Sequence, residues 1–171
     1  MPLDDVKDKR KLIVGRSGEL AAMSELLWRG WTPARPEIDI GDDVFIVDDE
    51  LGTFWRIQVK TATASRPGKD GQYKAQFGLR LDQLQTAPTP DLYYVFVVRA
   101  HEGWSDFVIV PRARLREEHE SFEVGSATNK NKLTLNLYLR NGEVLAGTSH
   151  GLRKRDWTRF RDQWPEVGGT P

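Results

Sequence analysis

The run Leu92-Tyr93-Tyr94-Val95-Phe96-Val97-Val98 is nearly continuous in apolar character. Successive side chains of an extended chain point to opposite faces, so a run apolar at every position suits a strand buried on both sides. Its role is core, not chemistry. Further strands are expected at about 73–79, 107–110 and 133–139, where β-branched and aromatic residues cluster between turn residues. Residues 80–85 read as a short helix, and Pro111 as the opening of another that runs toward His119.

Chemistry concentrates upstream of that run. In Phe54-Trp55-Arg56-Ile57-Gln58-Val59-Lys60, alternation places Phe54, Arg56, Gln58 and Lys60 on one face and Trp55, Ile57 and Val59 on the other, which reads as core. The segment Asp43-Val44-Phe45-Ile46-Val47 precedes it, and the loop Asp49-Glu50-Leu51-Gly52 joins the two. A hairpin with Asp48 paired to Thr53 puts Asp43 directly across from Gln58, where Cβ atoms lie roughly 4.5 to 5.5 Å apart. A register one residue different would send the two to opposite faces. A carboxylate, an amide and an ammonium on one face look suited to a divalent metal. Asp39 and Asp42 lie close by in sequence. Asp43 is preferred as principal ligand because it abuts the apolar strand, with Asp39 as the alternative acid.

Before the hairpin, Leu20, Met23, Leu26 and Leu27 suit one face of a helix that ends near Gly30. Ser17 reads as its N-cap, which places Glu19 in the first turn, where the macrodipole favours an acid. The same capping turn accounts for Gly15-Arg16-Ser17-Gly18, which lacks the spacing of a phosphate loop or nucleophile elbow. After the hairpin, residues 63–72 read as a loop from which Arg66, Lys69 and the nearby Lys74 could reach phosphate. A last helix is expected over about 152–164, with Trp157, Phe160 and Trp164 on its docking stripe and Arg153, Lys154, Arg155 and Arg159 outward.

With 171 residues and 39% hydrophobic content, the chain suits one folded domain, its core spanning about 12–140. It has no cysteine, which excludes disulfides and thiolate metal sites, and its three histidines lack zinc-site spacing. The charged N-terminus does not read as a signal peptide, and no apolar run is long enough to span a bilayer, so a cytoplasmic location is expected. A net charge of zero argues mildly against nucleic-acid binding. The local basic cluster from Arg140 to Arg161 argues the other way. Trp28, Trp31, Trp55 and Trp104 are candidates for stacking on bases, with core or subunit contacts as the blander reading.

The order of Glu19 on a helix, Asp43 on a strand and then Gln58-Val59-Lys60 resembles the PD-(D/E)XK nuclease superfamily, in its Gln-x-Lys branch. The likeness is carried by GRSGELAAMSELLWRGW, IDIGDDVFIVDD and FWRIQVKTAT, roughly the first third of the chain. It implies an α/β fold with a restriction-endonuclease-like core, a mixed central sheet flanked by helices, which the rest of the chain would continue. It implies Mg²⁺ held by Asp43, Gln58, the Val59 carbonyl and Glu19, with Mn²⁺ able to substitute. Lys60 matches the lysine that positions the attacking water or stabilises charge on the phosphate. The activity implied is DNA endonuclease, and a homodimer or higher oligomer is its usual form. Gln58 departs from the commoner acid and weakens the expected metal affinity. A non-catalytic DNA-binding or assembly module is therefore the rival expectation, with an RNA or nucleotide substrate a third.

Overall fold

The computed structural model describes residues 3–37, 41–48, 52–86, 91–100, 103–129, 131–151 and 153–165. A long helix α1 (Leu3–Trp28) leads into β1 (Pro33–Ala34), β2 (Val44–Asp48) and β3 (Thr53–Thr63). Then come β4 (Tyr73–Arg80), α2 (Leu81–Gln85), β5 (Leu92–Ala100), β6 (Gly103–Pro111) and α3 (Arg112–Phe122). The chain ends with β7 (Ser126–Asn129), β8 (Lys132–Arg140), β9 (Glu143–Gly147), β10 (Lys154–Asp156) and a 3₁₀ turn (Thr158–Phe160).

A central mixed sheet has the order β1-β2-β3-β5-β6, with β3 and β5 parallel and the other pairs antiparallel. As its apolar run predicts, β5 is buried on both faces. Val95 and Val97 join Ile57, Val59, Val44, Ile46 and Ile109 beneath Ala22 and Leu26 of α1. Tyr94, Phe96 and Val98 face the other way, onto Leu84 of α2, Leu115 of α3 and a second sheet. That sheet is antiparallel in the order β10-β9-β8-β4, with β7 paired to β8.

Three expectations need correction. The strands at 73–79 and 133–139 exist, but they belong to the second sheet and do not continue the first. Ala75, Phe77 and Leu79 on β4 and Leu133, Leu135, Leu137 and Leu139 on β8 alternate with polar residues, the pattern of a sheet covered on one face only. Ser17 is not an N-cap, because α1 begins at Leu3 and Ser17 lies in mid-helix, its Oγ donating to the Ile13 carbonyl at 2.7 Å. Lys9, Arg10, Lys11 and Leu12, all good helix formers, carry the helix back past that point.

The third correction concerns the C-terminal helix over 152–164, which is absent; Leu152 lies outside the described residues. Lys154–Asp156 pairs with β9, the Trp157 amide donates to Val144 O at 2.8 Å, and the Asp156 carboxylate takes the Thr158 N–H at 2.9 Å, turning the chain. The rings of the supposed stripe then part company. Trp157 is buried between the sheets with Phe160 against it, whereas Trp164 joins the cluster under α1. A helix would have held all three on one side.

Candidate active site

The hairpin has the expected register. Val44 pairs with Ile57 and Asp48 with Thr53, and the Asp43 amide donates to the Ile57 carbonyl at 2.9 Å, which extends the ladder so that Asp43 lies opposite Gln58. One carboxylate oxygen of Asp43 accepts the Val59 N–H at 2.7 Å and the Gln58 side-chain NH₂ at 2.5 Å. Burial pushes the Asp43 carboxyl above its ordinary value, and the Glu19 charge adds to this; the Val59 N–H, the Lys60 ammonium and the Gln58 amide oppose it. A carboxylate held this way is poorly compensated and suits a cation.

Glu19 reaches the site because α1 lies almost against β3. A Cβ added at Gly18 would come within 1.9 Å of Thr61 Oγ1, so only glycine permits the approach. The Glu19 carboxylate is held by Arg16 at 2.6 Å and Arg35 at 3.3 Å. Glu19 sits in mid-helix and not in the first turn, so the macrodipole does not account for it. Glu19, Asp43, Gln58, Val59 and Lys60 all line one cleft of about 600 Å³, together with Arg56, Arg80, Asp82, Gln83 and Arg112.

Gln58 is 5% exposed and its amide is committed at both ends. While the NH₂ faces Asp43, its oxygen accepts the Gln83 NH₂ at 2.9 Å; the same NH₂ donates to the Gly41 carbonyl at 2.7 Å. The Tyr94 hydroxyl completes the chain by donating to Gln83 Oε1 at 3.4 Å. Burial pushes the Tyr94 phenol up to about 12, so it stays a donor. The orientation follows from the carboxylate, which can only accept. Gln83 has no local signal in sequence, since it stands 25 positions from Gln58 and comes from the short helix α2.

Of the neighbouring acids, Asp42 is 2% exposed and bound by Arg56 in a two-pronged contact at 2.7 and 3.0 Å, which leaves it spoken for. Asp39 lies outside the described residues. Among the described residues, no group of three or more histidines and carboxylates is placed to hold a metal. Asp43 and Glu19 supply two carboxylates on one cleft. That donor set fits Mg²⁺, which takes oxygen ligands and keeps several of its waters, and does not fit zinc.

The expected phosphate-binding residues divide into four groups. Arg66 and Lys69 are exposed on the loop between β3 and β4. Lys74 and Lys154 converge on the Tyr138 ring of the second sheet, their ammonium groups 5.8 and 3.8 Å from its centroid, and Lys154 also donates to Gln72 at 3.2 Å. Arg155 and Arg159 each contact the Glu118 carboxylate at 3.2 Å, beside Arg114 at 2.7 Å and the Trp157 indole N–H at 3.3 Å. Arg153 is exposed, and its carbonyl accepts the Thr148 hydroxyl. Of the tryptophans considered for stacking, Trp31 is core, Trp55 and Trp104 pack against it, and Trp28 is exposed.

No protein-family model matches the sequence, and neither does any curated protein. Among solved structures, the fold is similar to that of a bacterial homing endonuclease, I-Ssp6803I, with a TM-score of 0.50 at 17% identity, over 89% of this chain and 88% of that one. The molecule is thus a mixed α/β fold, a central mixed sheet with helices packed on it, of the kind found in that endonuclease.

Proposed function

We propose that the protein is a Mg²⁺-dependent DNA endonuclease of the PD-(D/E)XK type, with Glu19, Asp43, Gln58 and Lys60 as its working residues. One observation carries the reading. Asp43, bound by the Val59 N–H and Gln58 on β3, shares a cleft with Glu19 and Lys60, and burial leaves its charge in need of a cation. The homing-endonuclease fold is consistent with DNA as substrate.

Asp43 and Glu19 would hold the metal, with the Val59 carbonyl as a further donor; the Gln58 amide oxygen would join them only on turning over from the orientation in which its NH₂ faces Asp43 and its oxygen accepts from Gln83. Bound Mg²⁺ supplies a water activated near neutral pH and a positive charge for the phosphate oxygens. Lys60 is a fixed cation two residues beyond Gln58 on the same strand face, positioned to neutralise charge that grows on the phosphate during attack. Arg56 holds Asp42 away from the metal position. Gln83 holds Gln58, and Gly18 lets α1 bring Glu19 close. Lys74 and Lys154, either side of Tyr138, would contact backbone phosphate.

The test is cleavage of supercoiled plasmid and of flapped, single-stranded and four-way DNA with Mg²⁺ or Mn²⁺. The wild-type protein should nick at least one form. Asp43→Ala should abolish this and Lys60→Ala should slow it by about 10²- to 10³-fold, with circular dichroism unchanged. Cleavage that persists in both variants would remove the assignment. A second reading, a DNA-binding module without catalysis, is favoured by the neutral Gln58 and its two committed amide ends. Calorimetry separates the two: DNA binding indifferent to chelator, with no heat on titrating millimolar Mn²⁺, selects the module.

A further inference from the structure

Helix α1 carries two glycines, and only one of them has a packing reason. A glycine inside a helix is destabilising relative to almost any other residue, so each calls for an explanation. Gly18 has one in its close approach to Thr61. Gly15 does not, since a Cβ added there would meet nothing within 4 Å. Instead, Gly15 lines two hollows at once: the cleft of about 600 Å³ that holds Glu19, Asp43 and Lys60, and a neighbouring groove of about 380 Å³. They meet at a residue with no side chain to divide them.

The groove lies between the N-terminal half of α1 and the far end of β3. Arg10, Lys11, Val14 and Gly15 form one wall, and Thr61 and Thr63 the other. At 100° per residue, Lys11 and Gly15 share a side of the helix with the buried Ala22 and Leu26, all four within about 60°. The stripe that packs on the sheet thus changes from apolar to glycine and lysine where it reaches the groove. Beyond Ile57, no described strand pairs with β3 on the side of β2. Alternation points the Thr61 and Thr63 amides to that side, as it does the Val59 amide held by Asp43. Cationic side chains, hydroxyls and backbone N–H groups are the donors that phosphate oxygens take. Among the described residues, no carboxylate lines the groove. Lys11 pairs with Asp8 at 3.1 Å, but both side chains are exposed, and such a pair gives way readily to a phosphate.

The contact at Gly18 limits the width. Helix and strand touch there, and Gly15 is only about 4.5 Å further along the helix axis. Walls that meet so close by admit one polynucleotide strand and not a duplex. We propose that the groove takes an unpaired DNA strand, the tail that runs on from the phosphate in the cleft, and that Gly15 is the gap through which it passes. The preferred substrate is then DNA with a single-stranded tail beside its duplex. What happens in the cleft rests on the nuclease reading, but the binding of the tail does not.

Fluorescence anisotropy in EDTA reads this binding apart from catalysis. The wild-type chain should hold a duplex with a single-stranded tail, of one polarity or the other, about tenfold more tightly than the blunt duplex. Gly15→Leu fills the gap and Lys11→Glu reverses a charge on the wall, and each should bring the tailed affinity down to that of the blunt duplex. Leucine is a better helix former than glycine, so the urea midpoint of Gly15→Leu should rise and not fall. The chain has no cysteine, which makes Thr63→Cys a single reporter. It should form a disulfide with a thiol tethered to the tail, and not with one tethered to a blunt end. Equal wild-type affinity for tailed and blunt DNA, a preference that survives in both variants, or no cross-link at Thr63→Cys would each overturn the proposal. A wild-type chain that shows the preference and the cross-link but cuts nothing with Mg²⁺ or Mn²⁺ would support the groove and remove the nuclease reading instead.

Discussion

Gln58 is the residue on which the proposed chemistry turns, because it stands where the resemblance places an acid. Its amide is oriented by two neighbours: Asp43 takes the NH₂ end and Gln83 supplies a donor to the oxygen. Gln83→Leu removes that donor and the bond to Gly41, and leaves the Gln58 oxygen buried without a partner. Groups that orient a metal-binding residue typically carry about 10- to 100-fold in affinity or rate, so Mn²⁺ binding by calorimetry should weaken on that scale in Gln83→Leu. Unchanged affinity would show that Gln58 acts without Gln83. Gly18 offers a second check at this scale. Gly18→Ala forces a Cβ against Thr61 and should cost roughly 1–3 kcal/mol in urea unfolding. The placing of Asp43, Gln58 and Lys60 on one cleft was legible in sequence because alternation and a short hairpin loop are local signals. Gln83, Arg56 bound to Asp42, and Tyr94 were not, since each acts through a contact 11 to 25 positions away.

Elements formed by neighbouring residues were the easier ones to read. The β2–β3 hairpin, β5 and the short helix α2 all lie where periodicity and turn chemistry put them. The second sheet was missed as a separate layer because its β4–β8 pairing joins residues more than fifty apart, such as Phe77 and Leu135. Asn141-Gly142, with φ of 49° and 87°, is a two-residue hairpin signal that could have revealed β9. Helix α3 meets this sheet through Glu118, buried among Arg114, Arg155, Arg159 and the Trp157 indole. Burial alone would raise its carboxyl; the hydrogen bonds from Arg155 and Trp157, and the charges of Arg155 and Arg114, bring it below the ordinary value. A carboxyl lowered on folding contributes stability that is complete above its unfolded pKa and is lost as pH falls through the folded one. Glu118→Gln should therefore destabilise the protein by about 3 kcal/mol at pH 7, with the difference narrowing in acid when urea midpoints are compared.

At the scale of the whole molecule, the central sheet divides the interior. One cluster lies beneath α1, and the other is shared with the second sheet, α2 and α3. The cleft gathers residues from α1, the segment just before β2, β3, β4, α2 and α3, so its geometry depends on both layers being docked. The last thirteen described residues show how that docking is made: Trp157 serves one cluster and Trp164 the other, which a helical reading of the segment could not accommodate. Strand β3 runs between β2 and β5, but the β2 ladder ends at the bond from the Asp43 amide to the Ile57 carbonyl, so Gln58, Val59 and Lys60 pair with β5 alone and line the cleft. There the Val59 amide proton is held by the Asp43 carboxylate and not by a strand. Hydrogen exchange at Val97 of β5, which has a strand on either side, should run at the rate of global opening, while Val59 exchanges sooner, and sooner still in Asp43→Ala. A carboxylate that closes the open edge of a sheet leaves the candidate site one contact away from solvent.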